Sequence, residues 1–323
     1  MRRAMAEAEV GDDVYGEDPT VRRLEELAAQ RLGKESALFV ASGTMANQAS
    51  LRAHTQPGDL VLAPADAHVL LFESGAASAL AGVQIRTLGS HGVFDAADLR
   101  AAVTPPDAHY PPTTLVCVEN THNRAGGRVF PFELLGEVTG AARERGLRLH
   151  LDGARLFNAE VASGIPAATW AEPFDTVAFC LSKGLGAPVG SLVCADRATI
   201  HRVHRIRKQM GGGMRQAGIL AAAGVYALDH HVERLAEDHA NARRLAEGLE
   251  KLGLGVDPPP ETNVVLFRVP DASGFLRETR ARSVLVSAID ATCFRAVTHL
   301  DVGRSDVEEA IGRIEEGLRA LRA

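Results

Sequence analysis

The stretch Thr176-Val177-Ala178-Phe179-Cys180-Leu181-Ser182-Lys183-Gly184-Leu185-Gly186-Ala187-Pro188-Val189-Gly190 decides how the rest of the chain is read. It opens with an apolar run rich in β-branched and aromatic residues, the pattern of a buried strand. The run ends at Ser182-Lys183, and the glycines and proline that follow turn the backbone sharply. Burying an ammonium is expensive, so a solvated turn lysine is the ordinary reading. A lysine at the rim of an apolar core can instead be held partly neutral, and a neutral amine is a nucleophile.

The chain has 323 residues, enough for one large α/β domain and a smaller one. Apolar residues make up 46%, which supports a sizeable core. A net charge of −6 with both signs interspersed argues against nucleic acid as a partner. No apolar run approaches a membrane span and no signal peptide opens the chain, so a cytoplasmic protein is expected. Cys117, Cys180, Cys194 and Cys293 lie far apart in apolar runs. They read as reduced core residues, and their spacing argues against structural zinc; no metal is expected.

Outward from the opening stretch, strand and helix signals alternate. Asp18-Pro19-Thr20 starts a helix that carries Val21, Leu24 and Ala28 at helical spacing. The strand Ser36–Val40 runs into Ser42-Gly43-Thr44 and then a helix to His54. Free N–H groups and the positive helix end there make an anion cradle, although Ser and Thr also simply cap helices. His68 follows the strand 60–64, beyond a strand end where α/β sheets bind ligands. Helices are expected over 72–81, 95–103 and 131–145, and strands over 83–88, 114–118 and 147–151. Glu119 to Gly127 is a polar loop after a strand. Asp152, with Arg155 three residues on, ends the strand before the lysine strand. A strand-end acid about thirty residues before a strand-end lysine suits a pyridoxal phosphate site, the acid holding a proton on the ring nitrogen.

The basic helix 197–208 leads into Met210-Gly211-Gly212-Gly213-Met214-Arg215-Gln216. After Pro258-Pro259-Pro260 the pattern reads as strand 263–269, helix 273–282, strand 284–289, strand 294–300 and helix 306–321. Ser305 and Glu308 have the spacing of a capping box for that helix. The expected fold is α/β: a large domain, 1–230, with a mostly parallel sheet covered by helices, and a small C-terminal α+β domain, 231–323.

The stretches Val10–Pro19, Ser42–Met45, Glu119–Asn123, His150–Arg155, Phe179–Gly184 and Gly211–Gln216 together closely resemble the L-threonine aldolases. These are fold-type-I, pyridoxal 5'-phosphate-dependent members of the beta-eliminating lyases. The likeness covers essentially the whole chain. It implies that Lys183 is the Schiff-base lysine, Asp152 the pyridinium partner and Arg155 the arginine near the cofactor phenolate. Ser42, Gly43 and Thr44 match the phosphate cradle, and His68 the histidine stacked on the cofactor ring. His122 matches the histidine facing the β-hydroxyl, and Arg295 the arginine that binds the substrate carboxylate. Arg215 matches one that reaches a neighbouring subunit's phosphate, which implies a homodimer or homotetramer with shared sites.

The implied activity is cleavage of L-threonine or L-allo-threonine to glycine and an aldehyde. His68 or His122, or water held by them, is the candidate base. Family members carry a further N-terminal arm that contributes a serine to the carboxylate site. Its absence before Met1 leads us to expect an internal start or a truncation. Two other readings stay open at this point: another pyridoxal-phosphate lyase that removes a β-substituent, and a cofactor-holding protein impaired by the missing arm.

Overall fold

The computed structural model describes residues 1–322. The central sheet comprises β1 (Ser36–Val40), β2 (Leu60–Pro64), β3 (Gln84–Leu88), β4 (Thr113–Glu119), β5 (Arg148–Asp152), β6 (Thr176–Cys180) and β7 (Ser191–Ala195). They lie in the order β1-β7-β6-β5-β4-β2-β3. All run the same way except β7, which is antiparallel to both β1 and β6. β2, β6 and β7 are buried along their whole length. That follows from helices on both faces and explains why these strands read as unbroken apolar runs.

Several helices begin where the sequence supplies a cap. Asp18 is fully buried, and its Oδ1 accepts the N–H groups of Thr20 and Val21 at the start of helix Pro19–Arg31. Its Oδ2 accepts the N–H of Gly218, so the same carboxylate caps helix Gly218–His230. Ser42 caps helix Gly43–His54 through the N–H of Met45. All four cysteines are free and buried, as expected of core residues.

The second sheet, order β10-β11-β9-β8, is antiparallel throughout. It contains β8 (Gly255–Val256), β9 (Val264–Arg268), β10 (Ser287–Ala288) and β11 (Cys293–Val297). Helices Ala272–Ala281 and Arg304–Arg322 pack with it around Phe267, Phe275 and Phe294. Helix Leu235–Lys251 spans both cores. Leu235 lies in the large one, and Ala242, Leu245 and Leu249 lie in the small one. The two parts are stitched together by Thr262 Oγ1 donating to the Gly127 carbonyl at 2.8 Å and by the Val129 N–H donating to Glu261 at 2.8 Å.

Three local expectations are corrected. The segment 72–81 is not one helix: His68–Leu71 is helical, a short π-turn covers Ala77–Ala81, and Ser74 and Gly75 between them have left-handed φ. The strand expected over 284–289 pairs only at Ser287–Ala288. Ser305 is not a cap, because the last helix starts at Arg304. There Asp306 accepts the N–H of Gly303 at 2.8 Å, and Glu308 accepts from Arg304 at 2.9 Å.

Candidate active site

Strands β2, β4, β5 and β6 end on one edge of the sheet. Their register sets Glu119 beside Asp152 and Asp152 beside Ala178. β6 then runs on to Lys183, where the chain turns back: the N–H of Gly186 donates to the Lys183 carbonyl at 2.9 Å. Lys183 is half-buried at this rim. Asp152 and Lys183 both act electrostatically on His68, in opposite senses, so the three groups share one neighbourhood.

Behind that edge lies a polar network inside an apolar wall. The Asn47 amide nitrogen donates to Asp152 Oδ2 at 2.7 Å and to Glu73 Oε1 at 2.8 Å. Gln48 donates to Glu73 Oε2 at 2.6 Å, and His68 Nδ1 lies 2.8 Å from Glu73 Oε1. A carboxylate only accepts, so His68 Nδ1 bears the proton and Nε2 presents a lone pair while the ring is neutral. The hydrogen bond to Glu73 raises the proton affinity of His68, against the effect of burial. His150 Nε2 lies 3.1 Å from Asn47 Oδ1, and His150 Nδ1 lies 2.8 Å from Thr176 Oγ1, which is also 3.2 Å from His54 Nε2. Burial lowers both His150 and His54 to about 4, so both rings are neutral.

His122 is the second imidazole. It is buried under Gly92, where any Cβ would meet its ring at 2.3 Å. The N–H of Ala125 donates to His122 Nδ1 at 3.2 Å, which leaves the proton of the neutral ring on Nε2. That Nε2 is buried without a hydrogen-bond partner and lies 3.7 Å from Glu119. Burial raises the Glu119 carboxyl, whose oxygens accept the backbone N–H groups of His68 and Asn123.

Arg155 and Arg295 converge on the side-chain oxygen of Asn123, at 3.4 and 3.0 Å. Arg295 reaches it from β11 of the small domain. Neither guanidinium pairs with a carboxylate among the described residues, and the Nε of each is buried and unpartnered. Burial lowers both, and Arg295 adds to the effect on Arg155. Two half-buried guanidinium groups that pair with no carboxylate among the described residues form a receptor for anions.

The structure thus gathers Lys183, Asp152, His68, His122, Arg155 and Arg295 about one edge. Ser42, Gly43 and Thr44 form the start of helix Gly43–His54 beside the end of β6. A Cβ at Gly43 would meet Cys180 Sγ at 2.8 Å, so the close approach of this helix start to β6 depends on glycine there. Arg215 stands apart in its own chain: it is exposed, pairs with Asp12 at 2.7 Å and lies 5.8 Å from the Tyr15 ring.

Sequence reasoning missed Asn47, Gln48, Glu73, Glu119 and Asn123 as individual site residues. The signal for Glu73 was an acid inside an otherwise apolar run, and for Asn47 and Gln48 two amides among Ala46, Ala49 and Leu51. His68, Glu73 and Asp152 offer atoms within 4.8 Å of one another. They are already joined by hydrogen bonds through Asn47 and to His68.

This fold is that of the pyridoxal-phosphate enzymes of fold type I. It matches a threonine aldolase structure from Leishmania major with a TM-score of 0.83 at 23% identity, covering 99% of this chain and 94% of that one. It also matches the serine palmitoyltransferase of Sphingomonas wittichii with a TM-score of 0.78 at 18% identity, covering 99% and 82%. A family model described as beta-eliminating lyase matches residues 1–272. The chain is similar to the low specificity L-threonine aldolase of Escherichia coli K12, 44% identical over 96% of this chain and 92% of the relative. It is similar also to the probable low-specificity L-threonine aldolase 2 of Arabidopsis thaliana, 42% identical over 98% and 92%. The chain belongs to the beta-eliminating lyase family, whose cofactor is pyridoxal phosphate. The residues present fit that cofactor: a glycine-dependent helix start for its phosphate, a buried acid for its ring nitrogen, and unpaired cations for its phenolate and for a substrate carboxylate.

Proposed function

We propose that this enzyme cleaves L-threonine and L-allo-threonine, and β-hydroxy-α-amino acids generally, to glycine and an aldehyde. The observation that carries this reading is a guanidinium suited to a carboxylate, Arg295 at Asn123, together with two imidazoles of opposite tautomer, His68 and His122, at the same sheet edge. The names of the full-length relatives point the same way.

Lys183 is the amine that would hold the cofactor aldehyde, and Asp152 would keep a proton on its ring nitrogen. Ser42, Gly43 and Thr44 would hold the phosphate, and Arg155 the phenolate oxygen. Bound pyridoxal phosphate supplies the electron sink for the pair left on Cα when its bond to Cβ breaks. The protein supplies position and protons. Arg295 fixes the substrate carboxylate and thereby which Cα bond faces the reactive edge. His68, with its tautomer set by Glu73, takes the β-hydroxyl proton at Nε2, and Glu73 stabilises the imidazolium that results. His122 presents Nε2–H as a donor to the same oxygen as it becomes a carbonyl.

We further propose the division into residues 1–230 and 231–323, a homo-oligomer in which Arg215 serves a neighbouring subunit's phosphate site, and a cytoplasmic location. Among the described residues no helix is long and apolar enough to cross a membrane.

The test is an absorbance spectrum of the cofactor-loaded protein before and after glycine or L-threonine, with product analysis. A visible band perturbed by glycine, and acetaldehyde released from L-threonine, are expected. Lys183→Ala should lose that band and nearly all turnover. Ammonia and a keto acid in place of the aldehyde would overturn the reading.

A further inference from the structure

Arg295 reaches the site from β11, so its place depends on how the small sheet is held against the large one. Thr262 and Glu261 fasten that sheet to the loop after β4, at Gly127 and Val129. A second attachment runs through the helix after β5, Leu156–Ser163. Arg155 stands at its start, and Asn158 follows on the same face, its N–H donating to the Arg155 carbonyl at 2.9 Å. The Asn158 amide nitrogen donates to His239 Nε2 at 3.0 Å and to Asn263 Oδ1 at 3.4 Å. An amide N–H only donates, so His239 accepts at Nε2 and carries its proton on Nδ1. Burial lowers that ring to about 4, so it is neutral and able to accept. Both routes end on Thr298, just past β11. The Asn263 amide donates to the Thr298 carbonyl at 2.9 Å, and the Thr298 N–H donates to the Asn263 carbonyl at 3.0 Å. The Thr298 hydroxyl donates to the carbonyl of Asp238, the neighbour of His239, at 2.6 Å. Asn158, His239, Asn263 and Thr298 are each no more than 3% exposed, so turning the small sheet away would leave buried polar groups without partners. A Cβ at Gly184 would come within 3.2 Å of the Asn158 oxygen, so the turn after Lys183 packs on the same amide.

We propose that Asn158 is a positioning residue for the substrate carboxylate: it ties the small sheet to the helix after β5 and so sets where Arg295 stands. A body fastened at one place pivots, and one fastened at two separate places does not. Without the Asn158 amide, the bonds among Asn263, Thr298 and Asp238 persist, because none of them uses it. What is lost is the tie from that cluster to the large domain. The small sheet keeps its own packing and its fastening at Gly127 and Val129, and it turns about them. Arg295 moves with β11, since its strand is paired to β9 from Val264 to Arg268. Lys183, Asp152 and His68 belong to the large domain and keep their places, so the damage is confined to the group that meets the carboxylate.

This proposal rests on the reading of Arg295 as the carboxylate group, and its test does not depend on turnover. The visible band of the cofactor-loaded full chain is titrated with glycine and, in parallel, with methylamine, which has the amine and no carboxylate. Asn158→Ala should weaken glycine about tenfold, the lower end of what a hydrogen bond to a charged group contributes, and leave methylamine unchanged. Arg295→Gln should weaken glycine selectively as well, and adding Asn158→Ala to it should cause no further loss. Thr298→Val keeps the side-chain shape, removes the bond to the Asp238 carbonyl, and should shift glycine in the same direction. Equal weakening of both probes in Asn158→Ala, or a full further loss of glycine on the Arg295→Gln background, overturns the proposal. So does unchanged glycine binding in Asn158→Ala and Thr298→Val, or in Thr298→Val alone where Asn158→Ala does not fold. A wild-type chain that shows this selectivity but releases no aldehyde from L-threonine overturns the proposed function instead.

Discussion

At the scale of single residues, the site depends on side chains held from behind rather than on the reacting groups alone. Gly92 shows this from outside the cluster. Its φ is +76° and its missing Cβ is the space filled by the His122 ring. Gly92→Ala should push that imidazole off the Ala125 N–H while leaving the strands untouched. The expected outcome is a loss of kcat for L-threonine of about a hundredfold, the lower end of what a positioned acid–base group contributes, with an unchanged circular dichroism spectrum. Lys183 and Asp152 were legible because each ends an apolar strand run, where a charge is out of place. Glu73 was not. It lies in a segment whose alanine content reads as helix, and only the left-handed backbone at Ser74 and Gly75 turns it inward. Asn123 was hidden for another reason: its role is to be shared by two arginines that are 32 and 172 residues away in sequence.

At the scale of elements, the inner parallel strands β2, β4, β5 and β6 were readable because both of their faces are covered, so burial leaves a nearly unbroken signature. The small-domain edge was not. β10 is two exposed residues paired on one side only, and its length is set by β11 rather than by its own composition. The misread cap at Ser305 has a similar origin, since a two-residue shift of the helix start gives the role to Asp306. Asp18 is the element-scale feature with the clearest energetic weight. One buried carboxylate holds the starts of two helices that are distant in sequence and also accepts the N–H of Gly11 at 3.3 Å. Asp18→Ala removes a cap and strands buried N–H groups at both helix starts. It should destabilise the fold by about 2–4 kcal/mol, read as a lower urea midpoint at unchanged slope.

At the scale of the whole molecule, stability draws on a buried histidine, His150. His150 titrates near 4 when folded and near its ordinary 6.5 when unfolded. The unfolded chain therefore takes the proton first as pH falls, and the contribution of neutral His150 is complete above pH 6.5 and lost on the way to 4. His150→Gln carries no such proton. The stability gap between wild type and His150→Gln should thus shrink by about 2 kcal/mol between pH 8 and pH 5, measured by urea unfolding at each pH. A gap that holds constant would mean that His150 is protonated in the native state. The overall architecture was legible because strand, helix and strand-end polar residues agree in order. How the second sheet sits against the first was not, since beside helix Leu235–Lys251 the contact includes single bonds from Thr262, Glu261 and Arg295 that leave no periodic trace.

The Arg295 guanidinium, held 3.0 Å from the Asn123 side-chain oxygen, attracts negative charge, and the solvent will supply it. Acetate, formate or citrate in a buffer should lodge there. Each will protect the protein against heat by binding its native form, and each will slow it by standing where the amino acid's own carboxylate must dock. Chloride at equal ionic strength lacks the flat two-oxygen face that a guanidinium fork prefers and should do much less of either. The choice of storage salt and the measured KM are therefore two readings of the same electrostatic gap.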